Sequence, residues 1–438
     1  MRFSLRFLLV AGAAFSLSAC DSFFDLVPET SVSQNEVYTD ATGAEAAING
    51  VYNSLQGVMT DELIMSELAA DNAQHTGSYP SWLEVDTNNL SVDNAESTGL
   101  WIGWYDVINN ANNIIAAVQG TPGLDPDRAN EIQGEAYAAR AYSYHALTTW
   151  FGDVPLVLDP TLNVDPEAVQ VSRSSTDEVY AQIISDLRTA EGLVAESQSV
   201  GLIDRDVVRA ILARVLLYDG QYAEAGQIAT ELSVAYPLTD LTTLYGNLNS
   251  GESIWELQYT TDDSNSMAFF AFSTGAGGRR EYAPTQAFAD LFAESDDRYD
   301  FNIETQGANL VFNKYFRVAT GTDHYFLFRG GEMILIAAEV AARAGNTSTA
   351  VSLVNEIRSR AGAPSVDAGT IGSAGAALDL VLAERRIELN LEGHRWHDLV
   401  RTGRAVSALG LPSTDQTLWP IPERDRKVNP NLSQNPGY

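Results

Sequence analysis

The sequence predicts a mostly α-helical protein built from paired helices, with irregular segments set between the pairs. Three observations carry that expectation. Apolar residues recur at i, i+3, i+4 and i+7 along most of the chain, the spacing that gathers them on one helix face. Two stretches at an offset of 125 residues, Gly220 matching Gly345, repeat one helix–turn–helix pattern. Strand-like segments are few, and the best candidates are two short stretches, 253–259 and 309–318.

The N-terminus has a layout of its own. Arg2 and Arg6 precede an apolar run from Phe7 to Phe15, extended by Leu17 and too short to span a bilayer. Ser18 and Ala19 then lead to Cys20, the only cysteine among 438 residues. Positive, apolar, then small is the order of a secretory signal. Leu17-Ser18-Ala19-Cys20 resembles the bacterial lipoprotein box, where the thiol receives a diacylglycerol and the peptide is cut before the cysteine. That resemblance implies a signal peptide over 1–19 and lipidation at Cys20. Two or three acyl chains anchor stably where one does not. With one cysteine, neither an intrachain disulfide nor a cysteine-based zinc site can form.

Beyond the anchor, helical spacing recurs along the chain. It fits Ala44, Ala47, Ile48 and Val51, and again Trp101, Trp104, Tyr105 and Ile108. Residues 131–157 carry a weaker helical pattern. The pattern returns at Val208, Ile211, Leu212 and Val215, and at Ala225, Ile228, Ala229 and Leu232. It returns once more at Met333, Ile336, Ala337 and Val340, and at Ala350, Leu353, Val354 and Ile357. In the repeated pair, Ala213 matches Ala338, Gly220 matches Gly345, Ala225 matches Ala350 and Glu231 matches Glu356. Small residues at the crossing and glycine in the turn are what closely packed helix pairs need, and such pairs resemble tetratricopeptide units. One unit cannot bury its apolar face alone, so several must stack.

Three segments do not repeat. Residues 75–98 are polar with isolated aromatics, 259–284 mix Gly, Ser and Asp with Phe and Tyr, and 363–376 form a Gly/Ala/Ser-rich connection. Long irregular loops in a compact body more often serve function than not. The last stretch, 411–438, holds five prolines and is expected to wrap the surface in extended form.

Composition sets limits on function. The chain has 26 Lys and Arg against 58 Asp and Glu, a formal net charge of −32, and only two lysines, Lys314 and Lys427. Such a field repels nucleic acid. It also argues against uronate-rich or sulfated glycans unless salt screens the surface. Dense carboxylates suit a surface kept hydrated in high salt. No G-x-S-x-G and no phosphate-cradling glycine loop is present. The carboxylate pairs Asp262-Asp263 and Asp296-Asp297 are expected by chance at this acid content, so they carry little weight for a glycosidase. His394 and His397 with Glu388 or Glu392 lack the further ligands that a metal site needs.

A larger resemblance emerges from several stretches together. These are the lipobox with "FFDLVPET", "LWIGWYDVINNANNII" (100–115), "AYAARAYSYHALTTWFGDVPLV" (136–157), residues 332–364, "LVLAERRIELNLEGHRWHDLVRTGR" (380–404) and residues 418–438. In number and order they are similar to the SusD/RagB-like outer-membrane lipoproteins. That resemblance implies about four tetratricopeptide-like helix pairs as scaffold, with the remaining, loop-rich chain packed on one side. It implies one domain over 20–438, with an N-terminal part to about 245 and a C-terminal part from about 250. It further implies a non-catalytic binding lipoprotein, without cofactor, on the outer face of the outer membrane. Such a protein captures a glycan or other oligomeric nutrient for a partner TonB-dependent (SusC-like) transporter. Two other functions fit less well: a scaffold lipoprotein without a small ligand, and a glycosidase.

Sugars offer apolar C–H faces to aromatic rings and hydroxyls to polar side chains. Trp82, with Tyr79, Asn88 and Asn89, is the best-placed group for such a platform. Tyr259, Phe270, Arg279 and Tyr282 form the second candidate group. The competing reading of Trp82 is a plug that packs its loop onto the scaffold. Trp101, Trp104, Trp150, Trp255 and Trp419 lie in apolar patterns and are expected in the core.

Overall fold

The computed structural model describes residues 37–161, 169–197, 200–246 and 248–438, so Cys20 and the signal segment lie outside the described residues. Twelve of the described helices form the scaffold and frame the site. They are α1 (Ala41–Leu68), α2 (Pro80–Asp86), α3 (Ala95–Ala117), α4 (Pro126–Phe151), α5 (Thr176–Leu193) and α6 (Arg205–Tyr218). Then come α7 (Tyr222–Ala235), α8 (Met267–Ala271), α9 (Gly330–Arg343), α10 (Thr347–Arg360), α11 (Ala374–Glu388) and α12 (Arg395–Arg401). The strands are β1 (Ala73–His75), β2 (Ser253–Leu257), β3 (Tyr282–Pro284), β4 (Ile303–Gln306), β5 (Asn309–Phe312) and β6 (Tyr325–Arg329). They pair antiparallel as β1–β3, β2–β6 and β4–β5. No described helix is long and apolar enough to cross a membrane.

The long helices begin where the sequence supplies an acceptor for the unpaired N–H groups of a first turn. Asp40, Asn94, Asp125, Asp204 and Ser373 each accept from such an N–H, and Ser175 with Glu178 forms a capping box. The helices stack as pairs: α1 with α3, α4 with α5, α6 with α7, and α9 with α10, while α11 packs on α9. The fold is mostly helical and tetratricopeptide-like, as the repeat pattern predicts. The repeat itself is visible in the backbone. Gly220 and Gly345 end the first helix of their pairs at the same left-handed φ of 80°, which only glycine adopts freely. Ala213, Ala338, Ala225 and Ala350 are all fully buried at the crossings.

Several segments differ from expectation. Residues 75–98 are not a plain loop: Pro80 opens α2 as its first residue, and Trp82 and Val85 turn inward from it. The strand expected over 309–318 stops at Phe312. Beyond it Lys314 turns inward onto Glu392 at 2.7 Å, a burial of charge that an open strand face would not make. The weak helix at 131–157 ends at Phe151, because Gly152 takes φ 71°. The C-terminal wrap includes a short helix, Glu423–Val428, started by Pro422. Strand β6 is a short buried run, apolar from Tyr325 to Phe328 and ending on Arg329, and periodicity alone cannot separate such a run from buried helix.

The main core draws residues from Ala44 to Leu432 and holds Trp101, Trp104, Trp150, Trp255 and Trp419, and a second apolar cluster lies between α9, α10 and α11. Glu62 on α1 accepts the indole N–H of Trp104 at 3.0 Å and of Trp150 at 2.8 Å. His397 lies 3.3 Å from the same carboxylate, and His394 sits against Arg385, so both histidines are spent on structural partners. A buried charge network ties β2 and β6 to α10 and α11. Arg329 meets Glu252 at 2.8 Å, Glu388 at 2.7 Å and Glu392 at 2.9 Å. Arg298 joins Asp296, Glu384 and Glu388, and Arg360 also reaches Glu252 and Glu388. Burial alone would raise the Glu388 pKa, but Arg360, Arg329 and Arg298 hold it well below the usual carboxylate range.

Candidate functional site

Two segments about two hundred residues apart in sequence meet where β1 pairs with β3, His75 lying opposite Tyr282. The pairing continues one step past the strands, with Thr76 N–H donating to Glu281 O at 2.9 Å. The Glu281 carboxylate then organises the turn into α2. It accepts from Ser78 N–H at 2.7 Å, from Tyr79 N–H at 3.3 Å and from the Arg279 guanidinium. A β-carbon on Gly77 would lie 1.9 Å from that carboxylate, so only glycine lets the chain pass this close. Burial opposes the Glu281 charge, yet the Ser78 N–H, Arg279 and the Tyr79 N–H hold its pKa below the ordinary value. The carboxylate therefore stays ionised and neutralises Arg279.

Aromatic rings gather above this turn. Tyr79 lies 5.6 Å from Trp82 and 6.2 Å from Phe270, and Trp82 lies 5.3 Å from Phe270. Tyr282 closes the cluster from below at 6.2 Å from Trp82. Arg279 stacks over the Tyr79 ring at 4.2 Å, a cation–π contact that holds both side chains at the surface. Phe269 packs on Phe270 and is 40% exposed. A groove of about 400 Å³ opens beside the cluster, between Ser78, Arg279 and Arg280 on one side and Ser273 and Thr274 on the other.

The structure thus unites Tyr79, Trp82, Phe270, Arg279 and Tyr282 but gives them different parts. Trp82 is 3% exposed and Tyr282 is fully buried, so neither ring presents a face to solvent. Trp82 is the plug that fixes α2 to the scaffold, in keeping with its position on the inward face with Val85. Tyr79 and Phe270 are half-buried and Arg279 is exposed. Tyr259 is elsewhere: it is buried against Tyr325, at 4.7 Å, and its hydroxyl donates to Gln56 O. Asn88 and Asn89 lie past the far end of α2. Asn88 donates to Ala69 O from a left-handed backbone, while Asn89 is exposed. Sequence reasoning missed Ser78, Arg280 and Glu281. Two adjacent arginines after "GAGG", in a chain so short of cations, were the signal for Arg280.

Asp296 is occupied by Arg298 at 2.7 Å and is a structural carboxylate. Among the described residues no group of three or more His, Cys, Asp or Glu side chains is placed to hold a metal ion.

Comparison with known proteins places this architecture. Residues 23–217 match a SusD-like family model described as "Starch-binding associating with outer membrane", and residues 311–414 match the SusD family model. The SusD-like protein P38 of Formosa agariphila is 27% identical, over 99% of this chain and 99% of its own. Among solved structures, a SusD superfamily protein of Bacteroides vulgatus superposes with a TM-score of 0.81 at 21% identity, covering 92% of this chain and all of its own. A laminarin-binding SusD-like protein gives 0.79 at 22% identity, over 92% of this chain and 100% of that one. The surface glycan-binding protein A of Bacteroides fluxus gives 0.77 at 21% identity, over 91% and 100%. The fold, the two matched segments and the full-length relative agree, and the chain belongs to the SusD/RagB-like family.

Proposed function

We propose that the protein is a non-catalytic, lipid-anchored receptor on the outer face of the outer membrane. It captures a glycan and hands it to a TonB-dependent transporter in the same membrane. One observation carries the capture step: Tyr79 and Phe270, from distant segments, present partly open rings beside a polar groove. A ring edge or face next to hydrogen-bonding side chains is the arrangement that saccharides need. Family membership supports the reading, as do the laminarin-binding and glycan-binding proteins that share the fold. The lipobox at Cys20 supports anchoring. Closure against the transporter mouth would complete delivery.

Calorimetry with a panel of oligosaccharides tests the capture step. The wild-type protein is expected to bind at least one, and Tyr79→Ala and Phe270→Ala each to weaken it about tenfold, since buried aromatic anchors dominate binding surfaces. Trp82→Ala is a poor control, because removing a buried Trp costs about 3–5 kcal/mol of stability. Unchanged affinity in both variants, with unchanged melting temperatures, overturns the assignment. Anchoring has a separate test: Cys20→Ser should abolish palmitate labelling and membrane sedimentation, and retained labelling sinks it.

A further inference from the structure

We propose that the groove beside Tyr79 receives the anionic substituent of a glycan, a carboxylate or a sulfate ester, and that Arg280 is its partner. This rests on the glycan-capture reading and names the ligand class. Among the described residues every other arginine side chain meets a carboxylate or a polar oxygen, most often in an ion pair. Arg280 alone does neither, in a chain with more than two acids per base. Its Nε is enclosed and makes no hydrogen bond. Its backbone holds φ 54°, a left-handed conformation that suits glycine and strains a residue carrying a β-carbon. Such outliers persist where the surroundings enforce them and gather at ligand sites. The surroundings here are specific: Thr76 donates its hydroxyl to Arg280 O at 3.0 Å, and Arg279 N–H and Glu281 N–H bond Phe269 O and Phe270 O at 2.7 Å each.

The groove fits an anion. Ser273, Thr274 and Asn309 line it with Arg279 and Arg280. Its single carboxylate, Glu281, is already neutralised by Arg279 and by two backbone N–H groups. One uncompensated guanidinium is left, and guanidinium is the group that grips carboxylate and sulfate with paired N–H donors. The remaining acids do not cancel it. Exposed charges further away than about 8 Å are largely screened at physiological ionic strength. The local sign at the groove is therefore opposite to that of the molecule.

The experiment compares a uronic-acid oligomer with its carboxyl-reduced form, and a sulfated galactan with its desulfated form, by calorimetry. Wild-type protein should prefer one charged form over its neutral counterpart about ten- to a hundredfold, as hydrogen bonds to charged groups allow. The pair that shows the preference identifies the anion. Raising the salt should reduce it. Arg280→Gly, which relieves the backbone and so should raise the melting temperature, should bring the ratio to about one. Arg280→Lys should keep part of it. Equal binding of charged and neutral forms by wild type, or a full preference in Arg280→Gly, overturns the proposal and leaves glycan capture standing. Binding of none of these ligands, nor of any neutral oligosaccharide in the panel, removes both.

Discussion

Glu67 on α1 shows how one buried acid makes stability depend on pH. Burial pushes its carboxyl up to about 7, against the opposing pull of the Asn72 amide and the Leu391 N–H. A folded-state pKa above the unfolded value contributes stability that is present below pH ~4 and lost as pH rises through ~7. Glu67→Gln keeps an acceptor for Leu391 N–H and removes the charge. The variant should match wild type near pH 4 and exceed it at pH 8 by on the order of 3 kcal/mol. Urea unfolding at both pH values checks this, and an unchanged difference between them would falsify it. At this scale the sequence was partly legible. Trp82 and Val85 stand three residues apart, the spacing of a buried helix face, but their polar neighbours hid that face. Tyr259 looked like a loop aromatic, because nothing local announces that Tyr325 waits across a sheet to cover it. Arg280 stayed silent because a missing partner is a property of the fold and cannot be read from neighbours in sequence.

Among the elements, the junction of β6 with α9 shows what pattern cannot carry. A β-carbon on Gly330 would lie 1.9 Å from Tyr236 O at the end of α7, and Gly330 N–H donates to Glu252 O at 2.9 Å. Strand, helix and the neighbouring repeat meet at that one small residue. Gly330→Ala should force α9 away from the end of α7 and cost about 1–3 kcal/mol, as overpacking does. A lowered urea midpoint with unchanged slope is the expected outcome. An unaltered midpoint would mean that the two helices have room to spare. The helix pairs were legible because each carries its own apolar period and its own glycine turn, at Gly220 and Gly345. Strands β1, β3, β4 and β6 were not, because each is short and most pair with a partner far away in sequence. The site inherits this division: the helices announce themselves, while the pairing of β1 with β3 that builds the groove does not.

For the whole molecule, the −32 charge is distributed by a simple rule. Nearly every described arginine is spent on an acid or a carbonyl, many of them inside, so the surplus carboxylates remain on the surface to repel one another. Raising salt from about 0.1 M to about 1 M shortens the screening length from ~10 Å to ~3 Å and should raise the melting temperature. The network at Arg329 should respond differently. Arg329 is fully buried among Glu252, Glu388 and Glu392, beyond the reach of mobile ions. Arg329→Met removes the cation that all three carboxylates share, leaving them only Lys314, Arg298 and Arg360, and should cost about 3–5 kcal/mol. Because the network is dry, that cost should be the same at both salt concentrations, while the stability of each protein rises with salt. A gap that closes in high salt would show the network to be open to solvent. A wild-type melting temperature that stays flat would remove surface repulsion as a force in this fold. The same contrast applies to ligands: if salt acts on the surface but not on the interior, a surface cation such as Arg279 or Arg280 governs only its own surroundings. The net charge of the molecule then says little about the charge of what it holds.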